Sequence, residues 1–263
     1  MTGVLKVHRQ GAVLRLTLAD DATRNSLSED MIAALILQLN EAADDGTLSV
    51  IIIAAEGNAF SSGHNLKELT QHRNDSDQGL KYFKKVFDSC AQLMTKVAQH
   101  RCVTIAEVQG LASAAGCQLV ASCDFAYGSE HATFCTPGVN IGLFCSTPMV
   151  ALSRSISARH AREMLLSGAV YDAQYAMRVG LVNEIVAQNV LIAHVDTIAA
   201  QLAQKSSAAI GYGKPAFDAQ LNLSLEEAYA ECTAVMIDNI MNQSAREGIS
   251  AVLEKRKPDW SAS

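Results

Sequence analysis

The sequence predicts an α/β fold in which a strand–helix core with a largely parallel sheet precedes a helical tail. Three observations carry this expectation. Val13-Leu-Arg-Leu-Thr-Leu18 alternates as a half-buried strand does, and Ser49-Val-Ile-Ile-Ile-Ala54 is a β-branched run suited to a strand buried on both faces. Between them, Ser28-Glu-Asp opens a helix with acids in its first turn and apolar Met31, Leu35, Leu39 and Ala42 at helical spacing. A strand–helix–strand order requires a crossover, and hence parallel pairing. From Leu191 onward the punctuation is helical, with capping-box patterns at Ser224-Leu-Glu-Glu227 and Ser244-Ala-Arg-Glu247.

The remaining elements follow in chain order. Met1–Gln10 has no apolar signal-peptide segment and enters strand-like sequence almost at once. Gln71 to Leu80 is polar and aperiodic, which predicts a loop or the edge of a lid. The next segment is a helix whose stripe of Tyr82, Phe83, Val86, Phe87, Cys90, Leu93, Met94 and Val97 is read as core packing. Val103–Val108 and Asp124–Gly128 read as strands. Gly168 marks a helix end, and Asp172 and Gly180 bracket a short helix over 173–179. No internal repeat, proline-rich linker or low-complexity tract interrupts the chain.

Composition narrows the function classes. A formal net charge of −6 over 263 residues argues against nucleic acid or an anionic membrane as the main partner. No apolar run is long enough to span a bilayer. The seven cysteines are odd in number, contain no C-x-x-C pair and read as reduced thiols of a cytoplasmic protein. Neither an H-E-x-x-H nor a G-x-G-x-x-G pattern occurs, so no metal and no resident cofactor is expected.

The most informative segment is Gln109-Gly110-Leu111-Ala112-Ser113-Ala114-Ala115-Gly116-Cys117-Gln118-Leu119. Small residues at a strand-to-helix turn let a ligand approach the backbone, and the first amides of the helix lack intrahelical partners. Such a turn suits a developing negative charge. With the following Val120-Ala-Ser-Cys-Asp124, the segment resembles the signature NG-x-A-x-GGG-C-E-L-A-x-x-CD of the crotonase (enoyl-CoA hydratase/isomerase) superfamily. A second segment, Phe60-Ser-Ser-Gly-His-Asn-Leu-Lys-Glu-Leu69, is similar to that family's F-[SA]-[SA]-G-x-D-[LI]-K-[ED] motif. Serine and glycine alone there read as turn chemistry; paired with the first motif in the expected order, they read as a ligand site.

The resemblance covers nearly the whole chain. It implies the crotonase fold, a spiral of β-β-α repeats over residues 1–190, with a helical oligomerisation region over 191–263. It also implies self-association as a trimer or a dimer of trimers, and a CoA thioester as substrate. By the same resemblance the backbone amides of His64 and Ala115 form an oxyanion hole, and Arg24, Ser61, Ser62, His64 and Lys67 contact the CoA thioester. For Arg24 or Lys67 taken alone, a solvated surface charge is the simpler reading. The basic Glu254-Lys-Arg-Lys-Pro258 resembles the family tail that approaches CoA. Asn65 stands where Asp is usual and keeps a capping oxygen without the charge.

Two departures bear on the reaction. Gln118 stands where the family's hydratases carry one catalytic Glu, and Gly138 where they carry the other. Hydration of an enoyl thioester needs a base for water and an acid for the α-carbon, so classical hydration is expected to be weak or absent. Both departures, with Thr136-Pro-Gly-Val-Asn-Ile-Gly-Leu-Phe-Cys-Ser-Thr-Pro148, resemble the enoyl-CoA hydratase domain-containing protein 3 subgroup. The methylmalonyl-CoA decarboxylase subgroup shares the Ser-x-Gly-His turn but has a tyrosine near Cys145 that this chain lacks. Cys145 reads as a nucleophile for a thioesterase or as a buried inert thiol. The expected function is lyase-like chemistry on acyl-CoA in fatty acid metabolism; decarboxylation, thioester hydrolysis and non-catalytic acyl-CoA binding remain as alternatives.

Overall fold

The computed structural model describes residues 3–260, so the ends of both expected regions, residues 1–2 and 261–263, lie outside it. The chain opens with an antiparallel hairpin, β1 (Leu5–Gln10) and β2 (Val13–Leu18), turned at Gly11 with φ +58°. Helix α1 (Glu29–Asp44), capped by the Ser28 side chain on Met31 N, crosses over to β3 (Val50–Ala55), which pairs parallel to β2. Then come β4 (Ala59–Ser61), α2 (Leu66–His72) and α3 (Leu80–Ala98). The next units are β5 (Val103–Val108), β6 (Leu111–Ser113) and α4 (Ala115–Ser122), then β7 (Phe125–Ser129), β8 (Thr133–Cys135), α5 (Ser146–Ser155) and α6 (Ala158–Ser167). A short β9 (Val170–Asp172), α7 (Ala173–Val179), β10 (Glu184–Val186) and α8 (Leu191–Leu202) complete this part.

Successive strand pairs feed two sheets in turn. One runs β1-β2-β3-β5-β7-β10 and the other β4-β6-β8-β9; β1 and β2 both join the first, and thereafter the pairs β3–β4, β5–β6 and β7–β8 each give one strand to each sheet before a helix returns the chain. This is the spiral that the resemblance implies. In β3 the residues Val50 to Ala54 are buried on both faces, as their β-branched run predicts. The stripe of α3 packs into the core through Tyr82, Val86, Cys90, Leu93, Met94 and Val97. Phe87 departs from that expectation: it is 39% exposed and reaches His64. Gly168 and Gly180 end α6 and α7 in the left-handed region, and Asp172 caps α7.

The chain divides into two compact units at Ala200/Gln201, ten residues later than the expected boundary at 190/191. The reason is α8, whose Leu191, Val195 and Ala199 are buried and whose Asp196 bonds Arg15 of β2 at 2.8 Å. Arg15 also bonds Glu107 of β5 at 2.9 Å, with side-chain exposures of only 16% and 6%. Burial raises the Glu107 carboxyl above its ordinary value, and the Arg15 charge opposes that rise.

The second unit contains α9 (Ser207–Gln220), α10 (Leu225–Met241) and α11 (Gln243–Leu253). Ser224 and Glu227 form the expected capping box. Ser244 and Glu247 do not: Asn242 caps α11 through Ser244 N at 2.9 Å, and Glu247 instead holds Arg256 through two bonds of 2.6 and 2.9 Å. Arg256→Ala is expected to loosen the tail without unfolding residues 3–200, read as faster amide exchange at Asp259. Arg15→Met is expected to lower stability by about 3–5 kcal/mol in urea melts, because it strands the buried Glu107 charge.

Candidate functional site

Three turns meet at one end of the two sheets, held almost entirely by backbone groups. In the first, Arg24 and Asn25 both adopt positive φ, at +56° and +52°. The buried Asn25 side chain donates to Glu56 O and Ala59 O, both at 2.8 Å, and accepts from Asp20 N at 2.8 Å. Asparagine is among the few residues that both tolerate this backbone and satisfy such groups. The second turn is tied to the first through Ser62 N to Arg24 O at 3.0 Å and Leu27 N to Gly63 O at 2.8 Å. The third hangs on β8 through Ala114 N to Cys135 O at 2.9 Å.

The second and third turns touch at close range, mainly through backbone atoms with the Cβ atoms of Ser61 and Ala114 beside them. A Cβ on Gly63 would lie 2.9 Å from Ser113 O and 3.2 Å from Ala115 N. A Cβ on Gly116 would lie 2.3 Å from Ser61 O. This contact places Gly63, the residue before His64, against the Ala115 amide. Among the described residues the His64 N–H donates to no protein group, and the Ala115 N–H, first in α4, has no carbonyl one turn behind it. Ala114, at φ +50° and ψ −115°, occupies a conformation that glycine adopts freely and alanine does not. Nothing in the local sequence singles out Ala114 as the strained position.

Around these amides the polar groups are few and buried. The His64 ring meets Phe87 edge-on at 5.2 Å between centroids, and its enclosed nitrogens have only the Leu27 backbone as a polar neighbour among the described residues. Burial lowers its pKa below the ordinary imidazole value, with the Leu27 backbone opposing. Gln118, 3% exposed, keeps its Oε1 unpartnered, as does Thr136 its Oγ1. Gly138 lies in a 3-10 turn where a Cβ would sit 2.9 Å from Cys145 Sγ and 3.0 Å from Leu143 O. The Cys145 thiol therefore fills the space into which a residue-138 side chain would project. Burial pushes the thiols of Cys117, Cys135 and Cys145 up, leaving them protonated near neutrality.

The expected CoA contacts separate into two kinds. Arg24 and Lys67 are exposed and form no ion pair among the described residues. Ser61 and Ser62 serve the turn itself: Ser61 Oγ accepts from Gly63 N at 3.3 Å, and Ser62 Oγ donates to Thr23 O at 3.1 Å. In the tail, Arg256 is committed to Glu247 and Glu254, which leaves Lys255 and Lys257 as exposed cations. Asn65 caps α2 by accepting from Lys67 N and Glu68 N, and its amide donates to Glu68 Oε1 at 3.0 Å. Tyr82 OH donates to the same carboxylate at 3.3 Å. An aspartate at 65 would face Glu68 without that donor.

Gly116→Ala is expected to cost more than about 3 kcal/mol, since its Cβ meets backbone rather than a yielding side chain. Ala114→Gly is expected to be neutral or to stabilise by about 1 kcal/mol, because relief of strain offsets the added chain entropy. Thermal melts of the two variants check the pair.

Comparison with known proteins agrees with this geometry. Residues 8–263 match a family model described as enoyl-CoA hydratase/isomerase. The chain is 44% identical over 262 residues to the mitochondrial enoyl-CoA hydratase domain-containing protein 3 of Xenopus laevis, covering 100% of this chain and 87% of the relative. Its structure is similar to that of human enoyl-CoA hydratase domain-containing protein 3, with TM-score 0.92, 42% identity and coverage of 98% and 100%. It is also similar to an enoyl-CoA hydratase of Mycobacterium smegmatis, with TM-score 0.91, 40% identity and coverage of 98% of each chain. The cytoplasmic expectation is overturned, because a relative this similar is named mitochondrial. That expectation rested on reduced cysteines and the first ten residues, and free thiols do not separate one reducing compartment from another. The chain belongs to the enoyl-CoA hydratase/isomerase (crotonase) family and groups within it with the domain-containing protein 3 relatives.

Proposed function

We propose that this chain binds an acyl-CoA thioester and stabilises its enolate between the His64 and Ala115 amides, with classical hydration weak or absent. The observation that carries this reading is the pair of partnerless amides on the two turns that touch, with Gln118 and Gly138 at the two acid–base positions. Two donors aimed at one oxygen bind it more tightly as charge develops, and losing one such donor typically costs about 2.7–4 kcal/mol of barrier. Gln118 has no proton to exchange near neutrality and Gly138 has no side chain. Each absent acid or base removes about 10²–10⁴-fold in rate. CoA enters as part of the substrate, and Arg24 and Lys67 are the exposed cations assigned to its phosphates.

Lyase-class chemistry in fatty acid metabolism is the reaction class the family membership favours. Decarboxylation is the second reading, because an oxyanion hole serves it without two glutamates. Hydrolysis through Cys145 has less support: its thiol is pushed up by burial, and no base is bonded to it. Mixing the protein with crotonyl-CoA and following the enoyl-thioester absorbance is expected to show saturable binding and little loss. Rapid loss would contradict the proposal. Gln118→Glu with Gly138→Glu is expected to gain hydration only when Cys145→Ala makes room for the second carboxylate.

We also propose self-association as a trimer or a dimer of trimers through the helical region. No residue of α9 or α10 is buried within the single chain, and Tyr229, Cys232, Thr233, Met236, Ile237 and Ile240 line an apolar groove of about 430 Å³ on α10. Exposed apolar surface of this extent marks an interface. Ile237→Asp is expected to shift the species seen by light scattering toward the single chain, and an unchanged mass would remove α10 from the interface.

A further inference from the structure

We infer that α10 of one copy docks on α5 and the turn before it, residues 141–154, of the next copy, so that three chains close head to tail into a ring. The inference rests on the self-association proposed above and names the face that receives α10. Two surfaces of the chain carry it. On the first, Ile141, Leu143, Phe144, Met149 and Val150 are exposed. Met149, Val150, Ser153 and Arg154 share the exposed side of α5, opposite buried Pro148 and Leu152. Arg154 donates to Val150 O at 2.9 Å, which holds its guanidinium beside this apolar strip. Residues 131–162 contain no acid and three arginines, Arg154, Arg159 and Arg162. All three are exposed and without an ion pair among the described residues.

The second surface is the electrostatic complement of the first. α10 exposes Tyr229, Met236, Ile237, Ile240 and Met241, and its charged residues are Glu226, Glu227, Glu231 and Asp238, with no lysine or arginine. Glu227, Glu231 and Asp238 recur at helical spacing and form an acidic stripe flanking the apolar side. Glu231 and Asp238 form no ion pair among the described residues. Packing α10 against α10 of a second copy brings like charges together, whereas packing it on residues 141–154 sets acids against arginine. A contact between two different faces of one chain is heterologous, and its unused faces are all covered only when the ring closes. The receiving face is also joined to the candidate site. Leu143 N donates to Gly138 O at 2.9 Å, and Cys145 Sγ lies where a side chain at 138 would project. A neighbour seated on Leu143 and Phe144 therefore braces the turn that fixes one of the two acid–base positions.

The test mixes two variants of the full chain and reads mass by light scattering. Val150→Asp disrupts the receiving face and Ile237→Asp disrupts α10, so each alone is expected to run as the single chain. Mixed in equal amounts, they are expected to form a species of two chains. The intact α10 of the Val150→Asp chain still fits the intact receiving face of the Ile237→Asp chain, and the ring cannot close. Met149→Asp and Met236→Asp replace the pair if either variant does not fold. Val150→Asp at the wild-type mass, or a mixture that stays single, overturns the inference alone and assigns α10 to another surface. A wild-type protein that is itself a single chain, or Ile237→Asp at the wild-type mass, overturns the proposed α10 interface and this inference with it.

Discussion

The structure depends most on the close approach of two turns: the backbone of the Ser61–Asn65 turn lies against that of the Ser113–Gln118 turn, with the Cβ atoms of Ser61 and Ala114 beside the contact. Gly63 and Gly116 permit this approach, and a methyl at either place would press on backbone atoms that cannot yield. Both turns follow short strands of the same four-stranded sheet, β4 and β6, which pair in parallel. Gly63 and the Ala115 amide, far apart in sequence, are thereby brought together. The larger sheet, the crossover helix α1 and the buried Asn25 framework hold the strands and turns in place.

This arrangement explains how a site can keep one half of its chemistry while the other half changes. Amide donors belong to the backbone and survive any substitution that preserves the turn. Carboxylates belong to side chains and are lost by one substitution each. At residue 138 the Cys145 thiol occupies the volume into which a side chain would project. At residue 118 a neutral amide of similar shape remains, buried and with one oxygen unpartnered. The donor part of the proposed site thus rests on backbone, and its acid–base part on side chains.

Much of this was legible in the sequence. The β2 alternation, the β3 run, the Ser28 cap and the Ser224–Glu227 box each have local causes, and the structure places them where those causes require. Strands β4, β6, β8 and β9 were harder, because three-residue strands carry no period to read. The Ser244–Glu247 pattern failed because Asn242 and Arg256 competed for the same partners, which no local rule reveals. Likewise α8 has helical sequence but packs with the first unit, through a buried face and an ion pair to a residue 181 positions away. The strain at Ala114 and the exposure of Phe87 are also tertiary facts.

The most direct test of the account is the carbonyl stretch of a thioester bound at the paired amides. Difference infrared spectroscopy of butanoyl-CoA carrying ¹³C at the thioester carbonyl isolates that one vibration. Two amide donors converging on the oxygen polarise the bond, so the account predicts a shift to lower frequency on binding. Binding with an unshifted carbonyl would show that the thioester does not sit between the His64 and Ala115 amides, and would contradict the account at its centre.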